Sequence, residues 1–252
     1  MSSHFNGKEA LDHVIEAQAK GIIAANEIHG AESPGYLSAG CDAARDMALL
    51  LPCLFLILAS LHLPSSIISI YLIIFSISML FWKFGRSAWL GWFRLERLHR
   101  VLEQERWEIE HHRQQERDEL RVLYAAKGFE GKLLEDVLDV LMADNSRLLK
   151  VMIEEELGLS LGSHEHPLLQ GLGAFIGVLL SSSIIILSEI LLPFSAVLMA
   201  SIIVIMMASY LFAKIASNQV IPAVVWNLGL FALTIGTVYF SIAAINLKMA
   251  VS

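Results

Sequence analysis

The chain carries five apolar segments, each long enough to cross a bilayer, arranged as two and then three around a polar insert. A spanning helix takes about 20 mostly apolar residues. Residues 41–63, 64–84, 167–192, 194–216 and 220–247 meet that length. Within lipid every backbone polar group must be bonded internally, so such segments fold as helices. The expected fold is all-α: a polytopic membrane protein with five transmembrane helices and a cytosolic three-helix insert between helices 2 and 3. A re-entrant hairpin around Pro64 is the alternative for 41–84. Hydrophobic residues make up 56% of the 252, too many for an ordinary soluble domain.

Charge divides the chain further. From 157 to 252 only Glu165, Glu189, Lys214 and Lys248 are charged, whereas 94–156 is charged or His at nearly every second position. The expected parts are an N-terminal segment 1–40, helices 1 and 2 in 41–84, the insert in 85–163, and helices 3 to 5 in 164–252. Residues 8–29 read as an amphipathic helix with Leu11, Val14, Ile15, Ile22 and Ile28 on one stripe. It is expected on the membrane surface or against the insert. The insert reads as helices over 94–126, 133–142 and 147–157. The first is open to continuing from the second span. Gly128 suits a C-terminal cap and the Asp144–Ser146 turn an N-terminal one.

Orientation follows from lysine and arginine in short flanks. The turns at "HLPSS" and "ILLPF" have none. Lys20, Arg45, Lys83, Arg86, Arg94, Arg97, Arg100 and Lys214 lie on the other side, with Lys248 as the exception. The N-terminus, the insert and the Lys214 turn are therefore expected in the cytosol. The N-terminal sequence lacks the basic-then-apolar order of a signal peptide, and a bacterial inner membrane is the expected location. The net charge of −7 argues against a nucleic-acid partner. Cys41 and Cys53 suggest neither a disulfide framework nor a cysteine zinc site. His62, His164 and His166 flank spans and read as interfacial, and Glu189 reads as reaching the interface.

The insert concentrates acids. "ERWEIEHHRQQERDEL", 105–120, holds six acids and two adjacent histidines. A helix advances about 100° per residue. If it is continuous, Glu105, Glu108, His112, Glu116 and Glu119 share an arc of about 80°. Like charges so placed destabilise a helix unless something neutralises them. Arg113, Arg117 and Arg121 are near enough in sequence, which gives a solvated, salt-bridged face. The other reading is a site for Mg²⁺, Mn²⁺ or Fe²⁺, which carboxylates suit. Met152, Glu154, Glu155 and Glu156 form a second cluster that a folded-back third helix brings to the first. A third reading takes Glu96-x-x-His99 and Glu108-x-x-His111 as di-iron elements, but both lie on one helix.

Two spans, an acidic helical insert and three spans resemble the vacuolar iron transporter family. Its insert is a cytosolic three-helix metal-binding domain, with Glu-x-x-Glu, seven residues and Glu-x-x-Glu on the first helix. Glu105, Glu108, Glu116 and Glu119 reproduce that spacing. Met152 and Glu156 fall where the family places a methionine and a later glutamate on the third helix. Ile153 stands at a position that is glutamate in family members, with Glu155 or Glu154 as the substitute. The first span lacks the family's Asp-Gly step, and Ser78-Met79 is followed by "LFWKFGRSAW" instead of Gly-Glu-Tyr. Met79 then corresponds to the membrane methionine, and Asp42 or Asp46 to the acid of the ion path.

The resemblance implies a homodimer that exports Fe²⁺, with Mn²⁺ as a further substrate, in exchange for protons. It implies no enzyme activity and no organic cofactor. A membrane-anchored metal sensor or scaffold without transport is the alternative.

Overall fold

Each apolar segment folds as a helix. The computed structural model describes residues 34–156, 165–192 and 194–251. The amphipathic segment expected over 8–29 and His164 lie outside them. Eight helices and one π-helical turn make up the described residues. They are α1 (Gly35–Ser60), α2 (Ser65–His111), α3 (Arg113–Ala126), α4 (Gly131–Met142), α5 (Asn145–Val151), the π turn Met152–Glu156, α6 (Pro167–Leu191), α7 (Ser195–Ile215) and α8 (Val220–Val251). Five of them, α1, α2, α6, α7 and α8, are long and apolar enough to cross a membrane. The chain is thus an all-α polytopic membrane protein. Its described residues divide into two compact units, 94–156, and 34–93 with 165–192 and 194–251.

The second unit holds the spans. Its core is built from Met47, Leu51 and Phe55 of α1, Leu72 of α2, Val178 and Ile185 of α6 and Val204 of α7. α1 and α6 approach backbone to backbone. A Cβ on Gly173 would stand 1.9 Å from the Tyr36 carbonyl oxygen, and one on Gly177 2.1 Å from that of Gly40. Small residues permit such approaches, and dispersion then holds the helices. Large apolar side chains face outward, among them Trp82, Trp89 and Trp92 of α2 and Trp226, Leu233 and Phe240 of α8. Exposed apolar surface on this scale is what a lipid-facing helix presents.

The start of α1 differs from the sequence expectation. α1 starts at Gly35, before its apolar run, because it packs on α6 from its first turns. Asp42, Arg45 and Asp46 therefore lie inside the helix and not at its start. Glu189 is buried, and its carboxylate accepts hydrogen bonds from Ser65 Oγ at 2.7 Å and Ser69 Oγ at 2.6 Å. It is held by α2's first turns.

The other unit contains the end of α2, then α3, α4, α5 and the π turn. Ile109, Leu120, Leu123, Leu134, Leu138, Leu148 and Met152 form its core. Gly128, with φ of +91°, lets the chain leave α3 through the left-handed region. Asp144 caps α5 by accepting from the Ser146 N–H at 2.8 Å.

Candidate metal centre

The first insert helix is not continuous. α2 ends at His111 and α3 begins at Arg113, with His112 out of helical geometry at φ −126°, ψ 35°. No proline or glycine lies there. The break separates Glu105 and Glu108 from Glu116 and Glu119, which a straight helix would stack on one face. The Trp107 ring lies near both histidines, stacked on His111 at 4.5 Å and tilted against His112 at 5.4 Å.

All four carboxylates are buried beside the apolar core. Glu105, Glu108 and Glu116 each offer a carboxyl oxygen within 4.8 Å of the others. Gln104 Nε2 donates to Glu108 at 3.2 Å. Both Glu116 oxygens lack a hydrogen-bond partner among the described residues. Burial pushes its carboxyl up to about 9, and the charges of Glu105, Glu119 and Glu108 push the same way. Glu116 sits in α3's first turn, where the helix dipole favours a negative charge. Burial and repulsion outweigh that dipole. Glu119 belongs to the same electrostatic cluster through its effect on Glu116.

The three arginines proposed as counter-charges go elsewhere. Arg117 pairs with Glu135 at 3.0 Å and Asp139 at 2.7 Å. Arg121 pairs with Asp118 and Glu135. Arg113 donates to Asn145 Oδ1 and to the Met142 carbonyl. All three tie α3 to α4 or to the turn that follows it, so the salt-bridged face and the carboxylate cluster are separate features. The carboxylates can bind a hard or borderline divalent cation, which accepts several oxygen ligands where protons or repulsion otherwise prevail.

The second cluster is split. Met152 and Ile153 are fully buried, Met152 within the core beside Ile109 and Leu120. Glu155 pairs with Lys127, and Glu154 with Lys150 at 4.0 Å. The side chain of Glu156 lies outside the described residues. A π turn at this place lets one extra residue into the helix, a feature frequent at functional sites. The di-iron elements do not come together within one chain: Glu96 pairs with Arg100, and an exposed His111 ring nitrogen contacts the Trp107 carbonyl at 2.8 Å.

The VIT family model matches residues 93–246, more than half of the chain. The chain belongs to the VIT family. No curated protein matches it in sequence comparison. The match runs from the end of α2 through the carboxylate cluster and into α8. The family is one of membrane metal-ion transporters, and five spanning helices make this VIT-family chain an integral membrane protein.

In the membrane unit the candidate path residues lie on two helices, Asp42 and Asp46 on α1 and Met79 on α2. Asp42 pairs with Arg45 at 3.5 Å. Asp46 accepts from the ammonium of Lys83, which sequence reasoning counted only as a flanking charge. A lone lysine at the end of an apolar run was the available signal. Met79 packs, partly buried, against the apolar core.

Proposed function

We propose that this VIT-family protein moves Fe²⁺, and Mn²⁺ as a second substrate, out of the cytosol in exchange for protons. The carboxylates Glu105, Glu108, Glu116 and Glu119 capture the ion, with Met152, Glu155 and Glu156 completing the shell once metal is present. Asp42, Asp46 and Met79 serve the path through the spans. The protein acts as a homodimer in a bacterial inner membrane, with its N-terminus and insert in the cytosol.

The buried, mutually repelling group of Glu105, Glu108 and Glu116 carries this reading. Burying Glu116 with both oxygens unsatisfied beside the other acids is costly unless a proton or a cation joins it. Proton exchange accords with the same site, since Glu116 holds a proton at neutral pH that a metal must displace.

A second reading is a metal-binding sensor or scaffold without transport. The ion pair between Asp46 and Lys83 favours it, because it neutralises a carboxylate in the candidate path.

Flux tests the proposal. Purified protein is placed in liposomes holding a metal-sensitive dye and a pH dye, and Fe²⁺ or Mn²⁺ is added outside. Saturable metal entry with opposing proton movement is expected. Metal binding without entry would establish the sensor or scaffold instead.

A further inference from the structure

Glu189 is the one acid in the last three spans, and it is 8% exposed. Two hydroxyls of α2 donate to it, Ser65 Oγ to one oxygen at 2.7 Å and Ser69 Oγ to the other at 2.6 Å. Among the described residues no lysine, arginine or histidine pairs with it. An ionisable group within a spanning segment is rare and marks function by default. The group lies where α1 turns into α2, about 27 Å along α2 from Lys83. In the proposed orientation that is the side away from the cytosol.

The hydrogens at Ser69 decide what this carboxyl can do. A serine hydroxyl has one hydrogen to give and can accept besides. Ser69 Oγ stands within bonding distance of two acceptors, a Glu189 oxygen at 2.6 Å and the Ser65 carbonyl at 3.0 Å. With Glu189 charged, the hydrogen goes to the carboxylate. With a proton on that oxygen, Glu189 donates to Ser69 Oγ, and the serine turns its hydrogen to the Ser65 carbonyl. Both states are hydrogen-bonded on the same heavy-atom positions, and one O–H rotation separates them. A cation partner would hold the acid in its charged form, and Glu189 has none among the described residues. Ser65 is exposed, so its hydroxyl joins the buried carboxyl to the surface at this end of the bundle. The other titratable or charged side chains toward this end are His62 of the α1–α2 turn, Cys53 of α1, Tyr71 of α2, and Tyr239 and Lys248 of α8. α7 has none before Tyr210. Glu189 is thus the one acid there among the described residues.

We infer that Glu189, with Ser65 and Ser69, is a proton-exchange site at the end of the bundle where α1 turns into α2, and that it takes up the counter-proton. The coupling rests on the transport proposal, whereas the proton site stands on the geometry alone. The carboxylate gains a proton from the adjoining water, Ser69 swings its hydrogen to the backbone, and release reverses both changes. No other bond is made or broken.

Infrared difference spectroscopy of the full-length protein in lipid, between acid and alkaline pH, reads the C=O stretch of a protonated carboxyl. The wild type is expected to show a band that Glu189→Gln loses and that Ser69→Ala shifts. Glu189→Met replaces the glutamine variant if the latter does not fold. A folded Gln or Met variant that keeps the full wild-type band overturns the inference, because an acid that only ties α2 to α6 stays in one charge state. A band that Ser69→Ala leaves in place overturns it too. Liposome flux then tests the coupling. Glu189→Gln is expected to lower proton counter-movement severalfold, with Mn²⁺ binding by the full-length protein as in the wild type. Wild-type proton movement in that variant overturns the coupling. A wild type that moves no metal at all removes the transport proposal, and the infrared band still decides the proton site.

Discussion

Glu108 and Glu116 belong to different helices, separated by the break at His112, yet their carboxyl oxygens lie within 4.8 Å of each other. Two full charges at that distance repel by roughly 3 kcal/mol at an effective dielectric of about 20. That is well above the tenths of a kcal/mol that like charges cost on an exposed helix face. The break therefore turns a row of acids into a pocket of acids. Such a pocket favours a proton when empty of metal, and burial with the neighbouring charges pushes the Glu116 carboxyl up to about 9.

Metal binding should release that proton. With the Glu116 carboxyl up to about 9, it is protonated at pH 7 and must lose its proton to become a ligand. About one proton per bound Mn²⁺ is expected from this residue at pH 7. Calorimetry of the full chain in buffers of different ionisation enthalpy reads the number directly. Affinity should rise with pH and level off near 9. A pH-independent affinity between 6 and about 8 would rule out Glu116 as a ligand.

Removing the acid should strengthen the empty fold. The folded pKa of Glu116 lies above its usual 4.5. Its contribution to the apo state is therefore fully present below about pH 4.5 and is lost as pH rises toward 9. Glu116→Met removes that dependence and the unsatisfied buried oxygens together. It should stabilise the insert at pH 7 by about 1–3 kcal/mol. Hydrogen exchange of the insert amides measures this in the full-length protein. The same variant should lose metal affinity, a trade of function for stability.

The spans and the acid spacing were legible in the sequence for the same reason. Bilayer thickness fixes the length of an apolar run, and helical geometry fixes which residues share a face. What depends on facing elements was not legible. Arg113, Arg117 and Arg121 are near the acids in sequence, but α4 offers Glu135 and Asp139 to two of them. The break at His112 has no proline or glycine to announce it. α1 begins at Gly35 because α6 packs against it there, a tertiary fact. Lys83 looked like a flanking charge until Asp46 of another helix was seen to accept from it.

The arginine network on α3 should be independent of the metal site. Glu135 accepts from both Arg117 and Arg121, which hold its carboxyl below the usual range. Glu135→Ala is expected to leave Mn²⁺ affinity within a factor of about two, since exposed pairs contribute little. A large loss of affinity in this variant would mean that the network positions Glu116 or Glu119. Calorimetry beside a thermal melt distinguishes that from simple loosening of α4.

The α1–α6 crossing should tolerate no side chain at Gly177. An added Cβ would stand 2.1 Å from the Gly40 carbonyl oxygen, and the atom it meets is backbone. Relief requires one spanning helix to move away from the other, which also draws Ala174 and Val178 off the buried face of α1. Overpacking of this kind typically costs about 1–3 kcal/mol, and a rigid backbone neighbour puts Gly177→Ala at the upper end. Gly229 of α8 has open space around the equivalent position. Gly229→Ala is therefore the control, expected to melt at the wild-type temperature or slightly above it, since alanine favours the helix. A thermal melt of both variants in detergent gives the comparison. Equal melting of Gly177→Ala and the wild type would mean that α1 and α6 are not held at backbone contact.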